Sequence, residues 1–267
     1  MKHKKVLLAS LLAASGLAGQ SAYAAVNWSG TANYTVAPGA QLDEEALGPF
    51  DTYDMGAGVV LLKNTGGINY SGVYQSYVTN HELASVPVLA AKLNNTYELT
   101  MVANFTETVT AVGGGASVIN VSGGTFNLFF DSTVDHNFGT DSGFTDGASI
   151  LSGTILGGVG SAVSVGGMIF GVTDITVQVT GYNTNVFEPD TIAGGDGIFT
   201  LRLGSPVDSP LLSTVTSVNG NAVAGNYLFA ADGNLVLAVP EAETYAMMLA
   251  GLGLVGFMAR RRTSMSV

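Results

Sequence analysis

Four aspartates lie in one polar stretch of the chain and could supply oxygen ligands to a metal ion. They are Asp131, Asp135, Asp141 and Asp146, with serine, asparagine and glycine between them. Calcium takes about six to eight oxygen ligands, which carboxylates and backbone carbonyls can provide. The spacing matches neither the EF-hand loop nor a glycine-rich calcium repeat, so a solvated polar loop is the commoner explanation. Calcium binding at these residues is therefore a hypothesis, and no other cofactor is expected.

A second group of side chains could bind sugars. Tyr70 and Tyr74 fall on one face of a predicted strand, Tyr77 falls on the other, and Trp28 is the only tryptophan. Exposed aromatic rings can stack on the apolar faces of sugar rings. Tyrosine and tryptophan also fill the cores of β-proteins, so core packing is the alternative interpretation. The pattern makes Tyr70 and Tyr74 candidate carbohydrate contacts.

Residue types that usually carry catalysis are scarce. The chain has no cysteine, which excludes a disulfide framework and thiolate chemistry. His81 and His136 are far apart in sequence, and the motifs of serine hydrolases, zinc proteases and nucleotide-binding proteins are missing. A pair of carboxylates can hydrolyse polysaccharides without any sequence motif. We therefore expect no enzymatic activity and keep a matrix-polymer hydrolase as the third alternative.

The charge distribution excludes one class of partner. Of the 20 acidic residues, all but Glu241 and Glu243 lie between residues 25 and 239, which leaves 18 there. The same region has only three basic residues, Lys63, Lys92 and Arg202, and so a net charge of about −15. Nucleic acids and anionic lipids are bound by clustered lysine and arginine. We therefore expect no nucleic-acid binding.

The first 24 residues have the pattern of a secretory signal peptide. Lys2, Lys4 and Lys5 precede an apolar run over residues 6–18. Ala22 and Ala24 then form a small-x-small cleavage site, so the mature chain is predicted to begin at Ala25. The apolar run is too short to span a bilayer comfortably. The pattern therefore predicts export across the inner membrane.

The last 28 residues, 240–267, form a second targeting pattern. Pro240 and Glu241 are followed by an apolar run over residues 244–259, and then by an arginine block of Arg260, Arg261 and Arg262. As a helix this run would cover about 24 Å, less than the roughly 30 Å of a bilayer core. The arginines would hold their end on the cytoplasmic side. The pattern predicts a short transmembrane sorting helix that anchors the protein only transiently.

Residues 25–239 alternate apolar and polar side chains with the period of β-strands. Leu99, Met101 and Ala103 alternate with polar residues, and Ile175 and Val177 do the same farther along. This alternation is typical of antiparallel sheets with one buried face. With about ten strands and glycine-rich turns, it predicts a single antiparallel β-sandwich that resembles a jelly roll.

Two dipeptides predict tight hairpin turns, because asparagine, aspartate and glycine tolerate positive φ. They are Asn219-Gly220 and Asp232-Gly233. Glycine runs predict other bends or bulges; they are Gly113-Gly114-Gly115, Gly123-Gly124, Gly157-Gly158 and Gly194-Gly195.

The C-terminal pattern resembles the PEP-CTERM sorting signal of exopolysaccharide-producing Gram-negative bacteria. The resemblance covers residues 239–253 and the arginine block, with Ala242 in place of the second proline. It implies that an exosortase, an intramembrane cysteine transpeptidase, recognises and removes the tail. The exosortase and, transiently, the inner membrane are therefore expected partners.

A second resemblance extends from about Phe50 to the end of the chain. Residues 123–126 leading to Asp131, and residues 151–155, 186–190 and 232–235, are similar to the flocculation-associated PEP-CTERM proteins. The resemblance implies a role in bacterial aggregation within self-produced polysaccharide, with exopolysaccharide or a neighbouring cell surface as partner. It implies no catalytic residues.

Together these patterns predict an exported surface or matrix protein that promotes flocculation or biofilm formation. The domains expected are a signal peptide (1–24), a β-sandwich (25–239) and a sorting signal (240–267). The alternative is a discrete module that binds carbohydrate or calcium in a defined site.

Overall fold

The computed structural model describes residues 26–192, 196–204 and 210–239. The predicted signal peptide, with Ala22 and Ala24, lies outside these residues. So do Pro240, Glu241, the apolar run and the arginine block of the predicted sorting helix. No helix within the described ranges is both long enough and apolar enough to cross a membrane.

The described part of the chain is mostly β-strand, with very little helix. The strands are β1 (Val26–Asn27), β2 (Gly30–Asn33), β3 (Ala46–Phe50), β4 (Thr52–Met55), β5 (Gly58–Gly66), β6 (Asn69–Leu83), β7 (Val86–Val88), β8 (Glu98–Gly113), β9 (Ala116–Asp131), β10 (Ala148–Val165), β11 (Met168–Tyr182), β12 (Phe187–Glu188), β13 (Asp196–Gly204), β14 (Ser217–Val218), β15 (Asn221–Ala222), β16 (Tyr227–Val236) and β17 (Ala238–Val239). A 3-10 turn covers Tyr34–Val36, and a short helix, α1, covers Pro210–Thr214.

Among the described residues, eight of these strands close into an antiparallel barrel. The order around the barrel is β13-β11-β10-β9-β8-β6-β5-β16, and β16 pairs again with β13. The closing pair includes Leu201 opposite Gly233. Near one end β4 lies between β6 and β16, and β7 extends the edge of β6.

The all-β antiparallel prediction is confirmed, but the predicted jelly-roll sandwich is wrong. One buried face per strand produces the same alternation in a sandwich and in a barrel. What separates the two folds is whether the first and last strands of the sheet pair with each other. Here β13 and β16 pair over seven residues, from Ile198–Val236 to Gly204–Ala230, and leave the barrel without a free edge there.

One end of the barrel, called here the terminal end, is plugged by the N-terminal segment. β1 pairs with β17, and β2 pairs with both β3 and β12. Trp28 is fully buried, with ring centroids 5.4 Å from Phe50 and 6.1 Å from Phe187. The Trp28 Nε1 donates to the Pro189 carbonyl at 3.1 Å. Large aromatic side chains therefore fill this end.

The opposite end, called here the hairpin end, carries the tight turns that join neighbouring strands. Gly67 and Ile68 join β5 to β6, residues 114–115 join β8 to β9, and residues 166–167 join β10 to β11. The glycines of these turns have positive φ, for example 62° at Gly114 and 84° at Gly167. Glycine adopts this conformation without the steric penalty of a side chain.

Bulges at the predicted glycine pairs let two strands keep their apolar residues inside. On β9, Ile119 and Val121 face the interior before the irregularity, and Phe126 and Leu128 face it afterwards. The inward-facing residues thus change from odd-numbered to even-numbered positions, and this change requires one extra residue in the strand. On β10 a register shift before Gly157 does the same. The glycine pairs therefore keep one barrel face buried along very long strands.

Of the two predicted hairpin turns, one is confirmed and one is wrong. Asn219 and Gly220 have φ of 46° and 74° and join β14 to β15. Asp232 and Gly233 instead lie within β16, which continues to Val236. A side chain at Gly233 would lie 2.9 Å from the Phe199 ring, so close packing inside the barrel, and not a turn, accounts for this glycine.

A second apolar layer covers part of the outer barrel surface. Phe138 and Phe144 from the loop after β9, and Val215 and Val218 from the segment after α1, are buried there. They pack on outward-facing residues of β5 and β8. The loop between β9 and β10, which carries the predicted metal ligands, is thereby fixed against the barrel.

Candidate functional site

The candidate site lies where β8 begins and β9 ends. Glu98 is the first residue of β8 and pairs in register with Asp131, the last residue of β9. The loop that follows, residues 132–147, returns past these two residues before β10 starts. Strand pairing and loop path therefore bring residues together that are far apart in sequence.

Three of the four predicted metal ligands meet at this point. Asp131, Asp135 and Asp146 each place a carboxylate oxygen within 4.8 Å of the others. Asp131 is half-buried, whereas Asp135 and Asp146 are exposed. The Asp131 carboxylate also accepts a hydrogen bond from the Thr133 amide at 2.8 Å. The cluster is therefore a surface site at which three carboxylate groups lie close together.

Glu98 anchors the loop under this cluster. Its side chain is fully buried, and its Oε1 accepts hydrogen bonds from the backbone amides of Asp135 at 3.2 Å and His136 at 3.0 Å. The Nδ1 of His136 pairs with the Oε2 of Glu98. The His136 ring stacks on Tyr77, with centroids 4.1 Å apart. Glu98 therefore fixes the backbone that presents Asp135.

Burial and neighbouring charges raise the pKa of two carboxyls in the cluster, those of Asp131 and Asp135. Burial is the largest cause of the raised pKa of Asp131, and the charges of Asp146 and Glu98 add to it against the hydrogen bond from Thr133. Burial also raises the pKa of Asp135, followed by the charges of Asp146, Asp131 and Glu98. A bound cation would relieve this repulsion.

The fourth predicted ligand, Asp141, lies elsewhere and has a structural role. Its Oδ1 accepts from the Gln75 amide at 3.1 Å and from the Asn219 backbone at 2.8 Å. Its Oδ2 accepts from the Gly220 backbone at 2.8 Å. Asp141 therefore joins the β14–β15 turn to the barrel wall, and these bonds occupy both of its oxygens.

The chemistry of the cluster suits a hard cation. Three carboxylates offer up to about six oxygens, and calcium takes about six to eight from carboxylates, carbonyls and water. The described cluster contains no histidine nitrogen or thiolate, the ligands preferred by zinc. Asp131, Asp135 and Asp146 are therefore the residues that could hold calcium.

The two candidate sugar contacts share one face of β6, as their spacing predicts, and that face is the barrel interior. Tyr74 is fully buried, and its ring lies 5.3 Å from that of Phe199. It has no free face for a sugar, so Tyr74 is a core residue. Tyr70 is only partly buried and lies near the hairpin end beside Tyr227, at a centroid distance of 6.1 Å. Trp28 is also core.

Two buried acidic residues that sequence patterns did not identify lie on opposite faces of β8: Glu98 beneath the loop that follows β9, and Glu107 inside the barrel. Glu98 escaped notice because its neighbours in space are more than 30 residues away along the chain. Glu107 lies in the strongly alternating β8, where an apolar residue is expected at its position. An acidic residue at an inward position of a predicted strand is the signal that could have identified Glu107. Glu98 lies on the outward face of β8 with Thr100 and Val102, where a polar residue is expected, so its position carries no such signal.

Comparison with known proteins bears on the C-terminal tail. A family model described as the PEP-CTERM protein-sorting motif matches residues 238–262. The chain therefore carries this sorting motif, which indicates an exported protein that is targeted to and processed by an exosortase. No curated protein and no solved structure matches the chain.

Proposed function

We propose that this protein is a non-enzymatic component of the bacterial surface or extracellular matrix, which promotes aggregation of cells within exopolysaccharide. The sorting motif at residues 238–262 is the observation that carries the proposal. A chain that is exported and then processed at its C-terminus acts outside the inner membrane. The resemblance to flocculation-associated proteins supplies the specific role.

The architecture supports a scaffold that presents surfaces. A closed barrel with long strands has few exposed edges, so it is protected from uncontrolled pairing with other strands. The strongly acidic surface keeps an exported protein soluble and repels polyanions. Attachment to polysaccharide would then be non-covalent, through outward-facing polar side chains and acidic loops.

The direct test is the settling rate of cells that lack the gene, with the polysaccharide yield measured alongside. We expect the deleted strain to remain dispersed while its polysaccharide yield is unchanged. Complementation with the full chain should restore settling. A chain in which Arg260, Arg261 and Arg262 are replaced by alanine should not, because the sorting signal is incomplete.

Two results would contradict the proposal. Normal settling of the deletion strain would remove the aggregation role and leave an exported barrel with another task. Loss of settling together with loss of polysaccharide would point to a role in polymer production. Immunoblots of cell and medium fractions show whether the arginine variant reaches the same compartment as the unaltered chain.

A calcium-binding module is the second candidate function, and the meeting of Asp131, Asp135 and Asp146 favours it. Calcium at about a hundred times its dissociation constant should raise the free energy of unfolding by about 2.7 kcal/mol. The Asp146→Asn substitution should remove most of this gain, because it deletes one charged ligand. Thermal unfolding with calcium and with a chelator measures both effects.

The matched control is Asp174→Asn, on the exposed face of β11, where the retained Oδ1 can still accept from Thr200. It should keep the full response to calcium. An unfolding temperature that calcium and chelator leave unchanged in the unaltered protein would exclude the calcium site. If the Asp146→Asn protein still gains stability from calcium as the unaltered protein does, the ion binds at another site.

A further inference from the structure

A cavity of about 220 Å³ lies inside the barrel at the hairpin end. Leu62, Ile119, Leu203 and Phe229 contribute apolar walls from four different strands. A cavity of about 150 Å³ is enough to hold benzene. The space is therefore large enough for a ligand of six or more carbon atoms.

Small side chains account for the cavity. Toward the hairpin end, inward positions carry Ser117, Ala162 and Ser164. Nearer the middle of the barrel the corresponding positions carry large rings such as Phe126 and Phe199. The barrel is consequently filled by its own side chains in the middle and at the terminal end, and leaves space at the hairpin end.

One acidic side chain faces this space. Glu107 lines the cavity and is only 5% exposed. Among the described residues, none offers a hydrogen bond to its Oε1. A buried polar group without a partner costs stability, so a side chain of this kind calls for a ligand or another compensating role.

The lining offers no positive charge to balance Glu107. Its only other titratable side chains are Tyr70 on β6, which pairs in register with Glu107, and Tyr227 on β16. Lys63 follows Leu62 on β5 but is exposed on the outer face. The lining therefore has no counter-charge for the ionised form of Glu107, and a cationic ligand would supply one. The two tyrosine rings offer π-faces that attract cations.

We propose that this cavity is a binding site for a small apolar amine, whose hydrocarbon part fills the cavity and whose ammonium group donates a hydrogen bond to Glu107. A charge-assisted bond to a buried carboxylate is stronger than a neutral one. An anionic ligand such as a fatty acid would be repelled by Glu107. A neutral alcohol could fill the same space but would not balance the charge. The proposed matrix role does not depend on this site.

Burial raises the pKa of Glu107 to about 7, so the carboxyl is charged above neutral pH and uncharged well below it. An alkylamine stays protonated across this range. Amine binding should therefore be tight at pH 8 and weak at pH 5. The two lining tyrosines face Glu107 from β6 and β16, and the β5, β9, β10, β11 and β13 residues that line the cavity carry no charge.

The test is isothermal titration calorimetry of the full chain with hexylamine, 1-hexanol and hexanoate. At pH 8 hexylamine should bind about tenfold or more tightly than hexanol. The Glu107→Gln substitution should abolish this preference. The Ala162→Phe substitution should abolish binding of both ligands, because the added ring fills the cavity. Glu188→Gln, a change at an exposed carboxylate of β12, should leave all affinities unchanged.

Several results would overturn the proposal. Equal affinity for hexanol and hexylamine would show a purely apolar hole, and tightest binding of hexanoate would show a site for acids. Amine binding that survives Ala162→Phe would show attraction to the acidic surface, and absence of binding would show no site. Should Glu107→Gln fail to fold, the pH dependence of hexylamine binding to the unaltered protein tests the site. An affinity about tenfold weaker at pH 5 than at pH 8 supports the proposal, and an unchanged affinity contradicts it.

Discussion

Replacing Trp28 with alanine is expected to lower the free energy of unfolding by about 3–5 kcal/mol. The side chain is fully buried at the terminal end, contacts Phe50 and Phe187, and donates to the Pro189 carbonyl. Its removal leaves a large cavity beneath β1 and an unpaired carbonyl. Urea denaturation of the exported protein, followed by far-ultraviolet circular dichroism, measures the loss.

Two controls separate the contributions to this effect. Trp28→Phe keeps an aromatic ring but loses the hydrogen bond and part of the volume, so its cost should be smaller. Leu89→Ala, at a side chain that is 85% exposed, should change the stability by less than about 0.5 kcal/mol. A Trp28→Ala protein as stable as Leu89→Ala would show that the N-terminal segment does not plug the barrel.

Replacing Glu107 with glutamine is expected to stabilise the protein at high pH. Burial raises the pKa of this carboxyl from 4.5 to about 7. Below pH 4.5 the group is neutral in both the folded and the unfolded chain and costs nothing. Between pH 4.5 and 7 the folded chain holds the proton more tightly, so stability falls as the pH rises. At about 1.4 kcal/mol for each pH unit, the full cost above pH 7 is about 3 kcal/mol.

The measurement is the free energy of unfolding at pH 4 and at pH 8 for both proteins. The variant should equal the unaltered protein at pH 4 and exceed it by about 3 kcal/mol at pH 8. Glu188→Gln is the matched control, because this exposed carboxylate should make no such difference. A Glu107→Gln protein that shows the same fall between pH 4 and pH 8 would disprove a buried, uncompensated carboxylate.

Much of the fold follows from local sequence patterns. The alternation around Leu99 and Met101 predicts β8, and Asn219-Gly220 predicts the β14–β15 turn, because both signals depend on neighbouring residues. Barrel closure depends on the pairing of β13 with β16, which no local pattern encodes. The same limit explains Gly233 on β16, where a side chain would meet the Phe199 ring of the neighbouring strand β13.

The candidate sites show a similar division. The aspartate-rich loop is visible in the sequence, and three of its members do meet. The sequence does not show that Asp141 lies apart from the other three aspartates. Its hydrogen-bond partners are Gln75, Asn219 and Gly220, which are far away along the chain. The alternation of β8 marks Glu107 as an acidic residue on the buried face, but the cavity beside it becomes visible only when the barrel closes.

The pairing of β1 with β17 fixes the point on the barrel from which the C-terminal tail departs. The sorting motif begins within β17, at the terminal end, whereas the cavity lies at the hairpin end. A 15-residue strand such as β6 extends about 50 Å, or about 40 Å along the axis of a barrel with tilted strands. The chain therefore leaves the barrel toward its sorting motif at the end opposite the cavity, roughly 40 Å away from it.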